Sequence, residues 1–244
     1  MTNLWNEKAK TYPKFERGGN FENKVLDFIE DFGLKLDGKN VLDVGCGTGI
    51  YTLNMALRGA KVEGVDISNL MLEKLLRSAG EHEIGGVKTF LGDFANFEGG
   101  EFDIATCFMS PALSSKQMRE KFISIPKIGF CVLGWNSRHN NLQDEIYHAA
   151  GVEARPHRDV EALKELLEAR GLSYNSITLT DKWEKTLDFE ATVQNQIWHL
   201  KMHDAEANEA QIRDVVARFC EDGKVRSVTK IKVELIVTLK DYDL

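Results

Sequence analysis

The sequence is short of several things at once. It has four prolines and no stretch rich in proline or serine, so nothing in it reads as an interdomain linker. Its four cysteines, Cys46, Cys107, Cys131 and Cys220, form no CxxC pair. Three of them fall inside apolar runs, which suits buried thiols rather than a disulfide framework or a thiolate metal site. No apolar run approaches the roughly 18 residues that a membrane span needs, and the opening MTNLWNEKAK has no apolar signal core. An excess of positive charge is also missing. Against 31 Lys and Arg stand 38 Asp and Glu, a net of −7, which disfavours broad binding to nucleic acid or anionic membrane. The expectation is a cytoplasmic protein of one domain that touches neither nucleic acid nor membrane.

What is present is an alternation. GKNVLDV reads as a first strand, KVEGVD as a second, VKTFLG as a third, FDIATCFM as a fourth and KIGFCVLGW as a fifth. Helical patterns separate them. The first follows the glycines with Leu53, Ala56 and Leu57 inward; the next, capped by Ser68, carries Leu70, Met71, Leu75 and Leu76 inward; a third starts near Ser114. Before the first strand, Asn20 can cap a helix reaching Phe32. Strand and helix in this order specify a doubly wound, mostly parallel α/β sheet. In such sheets ligands sit beyond the carboxyl ends of the strands, near the topological switch point. The last hundred residues are less regular, with helices expected over 188–203 and 208–222. IKVELIVTL alternates with period two, which predicts a strand near the sheet edge after a turn at Gly223.

The stretch VLDVGCGTGIYTL places Gly45, Gly47 and Gly49 directly after a β-branched apolar strand. Glycines at a strand-to-helix turn let the backbone bend sharply and let a ligand approach where a Cβ would stand. The helix start adds unpaired N–H groups. A dinucleotide pyrophosphate is one guest for such a turn, but the spacing departs from G-x-G-x-x-G, and Asp43 stands just ahead of it. A carboxylate ~6 Å from a phosphate charge costs roughly 3 kcal/mol at an effective dielectric of ~20. The same carboxylate favours an ammonium or sulfonium; a turn or cap role for Asp43 is the alternative. Asp66 closes the second strand, where an acid can accept from both ribose hydroxyls. Asp93 follows the third, placed to accept from an adenine amine, with Phe94 as an apolar wall.

VLDVGCGTG, VEGVDIS and LGDF together resemble the class I S-adenosylmethionine-dependent methyltransferases over residues 39–135. The resemblance implies a Rossmann-like, seven-stranded, mostly parallel sheet with an antiparallel last strand and helices on both faces. It implies a division into an N-terminal lid region (1–35), a cofactor half (39–135) and a substrate-side half with inserted helices (136–244). S-adenosylmethionine is then the cofactor and S-adenosylhomocysteine the product. Gly45, Gly47 and Gly49 would approach its methionine part, Asp66 with Ile67 its ribose, and Asp93 with Phe94 its adenine. Tyr12, in LWNEKAKTYPKF, would lie over it as part of a lid. The implied activity is methyl transfer to an oxygen or nitrogen of a small molecule by a monomer or homodimer; an RNA or protein acceptor, or cofactor binding without catalysis, are the alternatives.

No catalytic residue stands out on the acceptor side, because in-line transfer from a sulfonium mainly requires positioning and exclusion of water. Ser110 and Pro111 in FMSPAL are candidates, against a plain turn with Ser114 as the next helix cap. GWNSRHNN, read as a loop after the fifth strand, offers Trp135 as an aromatic wall, Arg138 as an anion clamp and His139 as a base. Trp198 falls on an expected lid helix. His199 and His203, four residues apart, lack a third metal ligand nearby, so no metal is expected. Lys116, Arg119, Lys121 and Lys127 read as a solvated basic face.

Overall fold

The computed structural model describes residues 2–153 and 159–240. In chain order its elements are α1 (Thr2–Ala9), α2 (Asn20–Asp31), β1 (Asn40–Val44), α3 (Ile50–Leu57), β2 (Lys61–Asp66), α4 (Asn69–Glu81), β3 (Val87–Leu91), β4 (Ile104–Phe108), α5 (Lys116–Ser124) and β5 (Gly129–Asn140). There follow α6 (Asn141–Ala149), α7 (Asp159–Ala169), β6 (Asn175–Asp188), α8 (Phe189–Met202), α9 (Glu209–Ala217), β7 (Cys220–Glu221) and β8 (Lys224–Leu239). Short 3-10 turns occupy Phe94–Asn96 and Pro111–Leu113.

One sheet runs in the order β3-β2-β1-β4-β5-β8-β6, with the two-residue β7 paired antiparallel to β8. The first five strands pair in parallel, and the C-terminal strands are antiparallel. This is the expected Rossmann-like α/β sheet with β7 added. The chain winds outward from β1 through β2 to β3, then returns to β1's other side as β4. The switch point of the sheet is therefore the gap beyond the carboxyl ends of β1 and β4. The apolar composition of these two strands has its physical reason in their position: all of β4 and residues 41–44 of β1 are buried, as strands covered on both faces must be.

The described residues group into two compact units. One comprises 2–134, 159–178 and 234–240, the other 135–153 and 179–233. In the first, Leu42, Val44, Val65, Phe130 and Ile236 pack with Phe122 of α5 and Leu163 and Leu167 of α7. A separate cluster joins Phe15, Cys46, Leu53, Leu72, Leu75 and Ile84. Here Gly64 matters, because a Cβ on it would meet Cys46 Sγ at 2.7 Å. The second unit has its own core, in which Leu142 and Ile146 meet Val193, Leu200, Ile212, Val216 and Val225. Its polar seams are also internal: Asn140 donates to Thr229 Oγ1 at 2.8 Å, and Val228 N–H donates to Asn141 Oδ1 at 2.8 Å.

Several local expectations change. Gly19, not Asn20, is the N-cap of α2. Leu57 is 42% exposed, because α3 is buried over 51–55 and emerges at its last turn. Leu76 is 48% exposed, because the inward stripe of α4 runs through Met71, Leu72, Leu75 and Ala79 and leaves it on the flank. Ser115, not Ser114, caps α5 by accepting from Met118 N–H. β8 is interior, between β5 and β6, and its residues 233–238 are buried without alternation. The turn before it, Asp222-Gly223, has φ of 49° and 74°, the pair of left-handed residues that a two-residue hairpin prefers. Among the described residues no helix is long and apolar enough to cross a membrane.

Candidate functional site

A cavity of about 290 Å³ opens at the carboxyl ends of β1, β2, β3 and β4, and all its lining residues belong to the first unit. The glycine turn forms its floor through Gly45, Cys46, Gly47 and Thr48. The three glycines are there for three different reasons. All have positive φ, at 73°, 54° and 84°. A Cβ on Gly45 would lie 1.9 Å from Ser110 Oγ, and one on Gly49 2.5 Å from Leu75 Cγ. Those two glycines admit neighbouring side chains of the protein. Only Gly47 would direct a Cβ into open space, with nothing within 4 Å. Gly49 is the N-cap of α3 and does not line the cavity.

Asp43 is 2% exposed yet touches the cavity. Thr52 and Thr106 each donate a hydroxyl to its carboxylate, at 2.6 and 3.0 Å. Burial nevertheless pushes its pKa up to about 6; the two hydroxyl bonds oppose the shift and the nearby charge of Asp66 adds to it. Asp66 accepts from Gly47 N–H at 2.9 Å and Ser68 N–H at 2.8 Å. Burial raises its pKa too, against these backbone bonds. It thereby ties the end of β2 to the glycine turn, while Ser68 caps α4. Asp93 accepts from Ala95 N–H at 2.8 Å and caps the turn that carries Phe94. Ile67, Asp93 and Phe94 all line the cavity.

Tyr12 and Trp5 close another side. Their segment is fastened to the site: Ser68 Oγ donates to Asn6 Oδ1 at 2.6 Å, and Thr48 Oγ1 donates to the Pro13 carbonyl at 2.7 Å. Beyond β4, Ser110 caps the Pro111–Leu113 turn, and both Ser110 and Pro111 line the cavity.

Other predicted residues are not in this cavity. Trp135, Arg138 and His139 belong to β5 rather than to a loop, and to the second unit. The polar sequence there looks like a turn, but the strand continues with Asn140 held against Thr229. Arg138 donates to Gln143 Oε1, and His139, 73% exposed at its side chain, lies 3.7 Å from Asp144. Trp198 is buried in α8 with its ring edge-on to His199. His203 caps the end of α8 and packs on Tyr147. No cluster of three metal-ligating side chains occurs among the described residues.

The basic face is likewise not simply solvated. Arg119 donates to the carbonyls of Leu113 and Ser114 at 2.8 and 3.0 Å, and Lys127 pairs with Glu101 at 2.6 Å. Lys121 reaches three carbonyls at once, those of Phe94 and Ala95 at 2.8 Å and Phe97 at 2.7 Å.

Sequence reasoning missed several wall residues. Tyr51 stacks on Phe108 with ring centres 4.2 Å apart and planes 25° apart, and both line the cavity with Met71, Met109 and Met118. Tyr51 had a legible signal, an aromatic in the first turn after the glycines. Met109 had none; its φ of 49° is a strained state for a non-glycine residue, of the kind that gathers at binding sites. Glu22 is a fourth lining carboxylate, and among the described residues the lining contains no Lys, Arg or His.

Known proteins share part of this sequence and the fold. Residues 41–125 match the methyltransferase domain family. The ubiquinone biosynthesis O-methyltransferase of Bordetella bronchiseptica is 39% identical over 88 residues, 34% of this chain and 35% of that protein. The ribosomal protein L11 methyltransferase of Wolinella succinogenes is 39% identical over 71 residues, 29% of this chain and 26% of that one. The chain thus spans only about a quarter to a third of the length of these curated relatives. The structure is similar to that of magnesium protoporphyrin IX methyltransferase from Synechocystis PCC 6803 with S-adenosylhomocysteine bound, with TM-score 0.57, 15% identity and 96% of each chain covered. A putative RNA methyltransferase from Pyrococcus horikoshii gives TM-score 0.55 at 18% identity, with 98% of each chain covered. Residues 41–125 are thus similar to the methyltransferase domain family, and the fold is similar to that of solved methyltransferases.

Proposed function

We propose that the protein is an S-adenosylmethionine-dependent methyltransferase acting on an oxygen or nitrogen of a small molecule. One observation carries this reading. The cavity at the glycine turn presents the carboxylates of Asp43, Asp66, Asp93 and Glu22 and, among the described residues, no basic side chain. A dinucleotide pyrophosphate would meet like charge there and no counter-charge from the described residues. A nucleoside with a cationic tail would meet complementary charge at Asp43 and charged acceptors for its hydroxyls and amine. The open space over Gly47 suits a ligand that must lie against the backbone.

In this reading Asp43 faces the ammonium and sulfonium end, Gly45 and Gly47 border the methionine part, Asp66 with Ile67 holds the ribose, and Asp93 with Phe94 holds the base. Gly49 serves the turn by admitting Leu75. Tyr12 and Trp5 cover the ligand. When bound, the cofactor supplies a methyl on a positively charged sulfur with a neutral thioether as leaving group. The chain's own part is to position an acceptor in line and to keep water out. The Tyr51–Phe108 stack with Met109 and Met118 forms an apolar wall suited to that. An acceptor whose attacking atom carries a proton must also release it. His139 and Arg138 do not line the cavity, so the candidates to receive it are the carboxylates that do, directly or by relay through a lining hydroxyl such as Ser110 or Ser114. A small acceptor fits the acidic wall better than a nucleic acid does.

The test is direct. S-adenosylmethionine and S-adenosylhomocysteine are expected to raise the melting temperature and to bind in calorimetry, and NAD to do neither. Stabilisation by NAD alone reverses the assignment. Transfer of labelled methyl to a pool of small phenols and amines, with none to RNA or protein, supports the acceptor class; the opposite pattern overturns it.

A further inference from the structure

The geometry points to Lys121 as a positioning residue for the cofactor's base. This rests on the cofactor reading above. Lys121 belongs to α5, does not line the cavity, and places its ammonium against the carbonyls of Phe94 and Ala95 at 2.8 Å and Phe97 at 2.7 Å. A lysine ammonium has three donors, and here all three go to one short stretch of backbone. The same nitrogen sits 5.0 Å from the centre of the Phe94 ring, within range of a cation–π attraction.

That stretch is the 3-10 turn Phe94–Asn96 and the residue after it. Its N–H end is held by Asp93, whose carboxylate accepts from Ala95 N–H at 2.8 Å. Its carbonyl end is held by Lys121. The turn has two i→i+3 backbone bonds, Asn96 N–H to the Asp93 carbonyl at 2.9 Å and Phe97 N–H to the Phe94 carbonyl at 3.2 Å. Two such bonds are a weak constraint, since so short a turn gains little from cooperativity. Charge at both ends is what fixes the direction of Asp93 and Phe94, and both line the cavity. Helix α5 therefore serves the site twice: Met118, one turn before Lys121, lines the cavity directly, and Lys121 sets the two residues that face the base. A basic residue that reads as solvent-facing in the sequence thus acts through the backbone it gathers.

The experiment compares two ligands by calorimetry on the full chain: S-adenosylhomocysteine and its inosine analogue, in which an oxygen replaces the adenine 6-amino group. The wild type is expected to prefer the adenine form. Lys121→Met is expected to weaken S-adenosylhomocysteine by about 10-fold, as loss of a charged hydrogen bond does, and to leave the inosine analogue nearly unchanged, so that the preference collapses. A lysine with a merely structural role would weaken both ligands alike, and that result overturns the inference, as does unchanged binding of both. If Lys121→Met does not fold, Lys121→Arg makes the same comparison, because a flat guanidinium cannot meet three converging carbonyls as an ammonium does. Failure of the wild type to bind S-adenosylhomocysteine overturns the cofactor reading, and this one with it; wild-type binding with an unaltered preference in the variant overturns this one alone.

Discussion

The two compact units use the same kinds of residue to different ends. In the first, charged and polar side chains converge on a cavity: Asp43, Asp66 and Asp93 each hold a piece of backbone or a hydroxyl and also face open space. In the second, the polar residues near Trp135 are occupied with one another. Arg138 donates to Gln143, Gln143 donates to Tyr147 Oη at 2.5 Å, and His139 lies beside Asp144. A tryptophan, an arginine and a histidine close together in sequence look like a binding loop. When a strand carries them, they become part of the framework of that unit. The difference teaches that residue type alone does not mark a site; what matters is whether the backbone leaves the side chain facing space.

The largest expected effect separates two glycines of the same turn. Gly47→Leu should abolish measurable S-adenosylhomocysteine binding, a loss of roughly 100-fold or more if the side chain displaces the ligand, while circular dichroism stays native. Gly45→Ala should instead lower the melting temperature, because its Cβ meets Ser110 Oγ at 1.9 Å. Equal behaviour of the two variants would break the distinction between a ligand-facing and a packing glycine.

Next, Asp66→Ala should weaken the same ligand by about 10-fold or more through lost charged hydrogen bonds. Unchanged affinity in calorimetry would refute the ribose assignment.

The third effect is a pH dependence. The Asp43 carboxyl is held at about 6 in the folded chain, against ~3.9 when unfolded. The folded state therefore keeps a proton that the unfolded state has lost. The stability from this group is complete below pH ~4 and disappears as pH rises through about 6. The difference amounts to about 3 kcal/mol between those limits. Asp43→Asn should flatten that slope in denaturation of the ligand-free protein between pH 4 and 8. A bound cation favours the ionised form, so wild-type affinity for S-adenosylhomocysteine should rise with pH over the same window and level off above it. An affinity independent of pH would remove Asp43 from the cationic end.

The smallest effect belongs to the second unit. His139→Ala should change stability by less than ~0.5 kcal/mol, as an exposed pair contributes little, and should leave cofactor affinity within about twofold. A large loss of affinity would place that strand in the site after all.

Much of the first unit was legible in the sequence because its signals are local. A buried parallel strand must be apolar, the turn after it must be glycine where the backbone is left-handed, and an acid at the end of β2 follows the strand directly. The cap at Ser68 and the strand KVEGVD fall where the sequence puts them. The acceptor side was not legible. Met109, Met118, Trp5 and Glu22 come from four separate parts of the chain and share no spacing. The continuation of β5 through Trp135 to Asn140 depends on a partner almost ninety residues away, at Thr229.

The sequence by itself determined the order of strands and helices, the glycine turn and the carboxylates around it, because periodicity, turn chemistry and charge are properties of neighbouring residues. Only the tertiary structure decided which glycine faces open space, which lysine is a tether and which aromatic lines the cavity. Those roles depend on what lies opposite each side chain, and that is fixed by packing between elements distant in the chain rather than by any residue's neighbours in it.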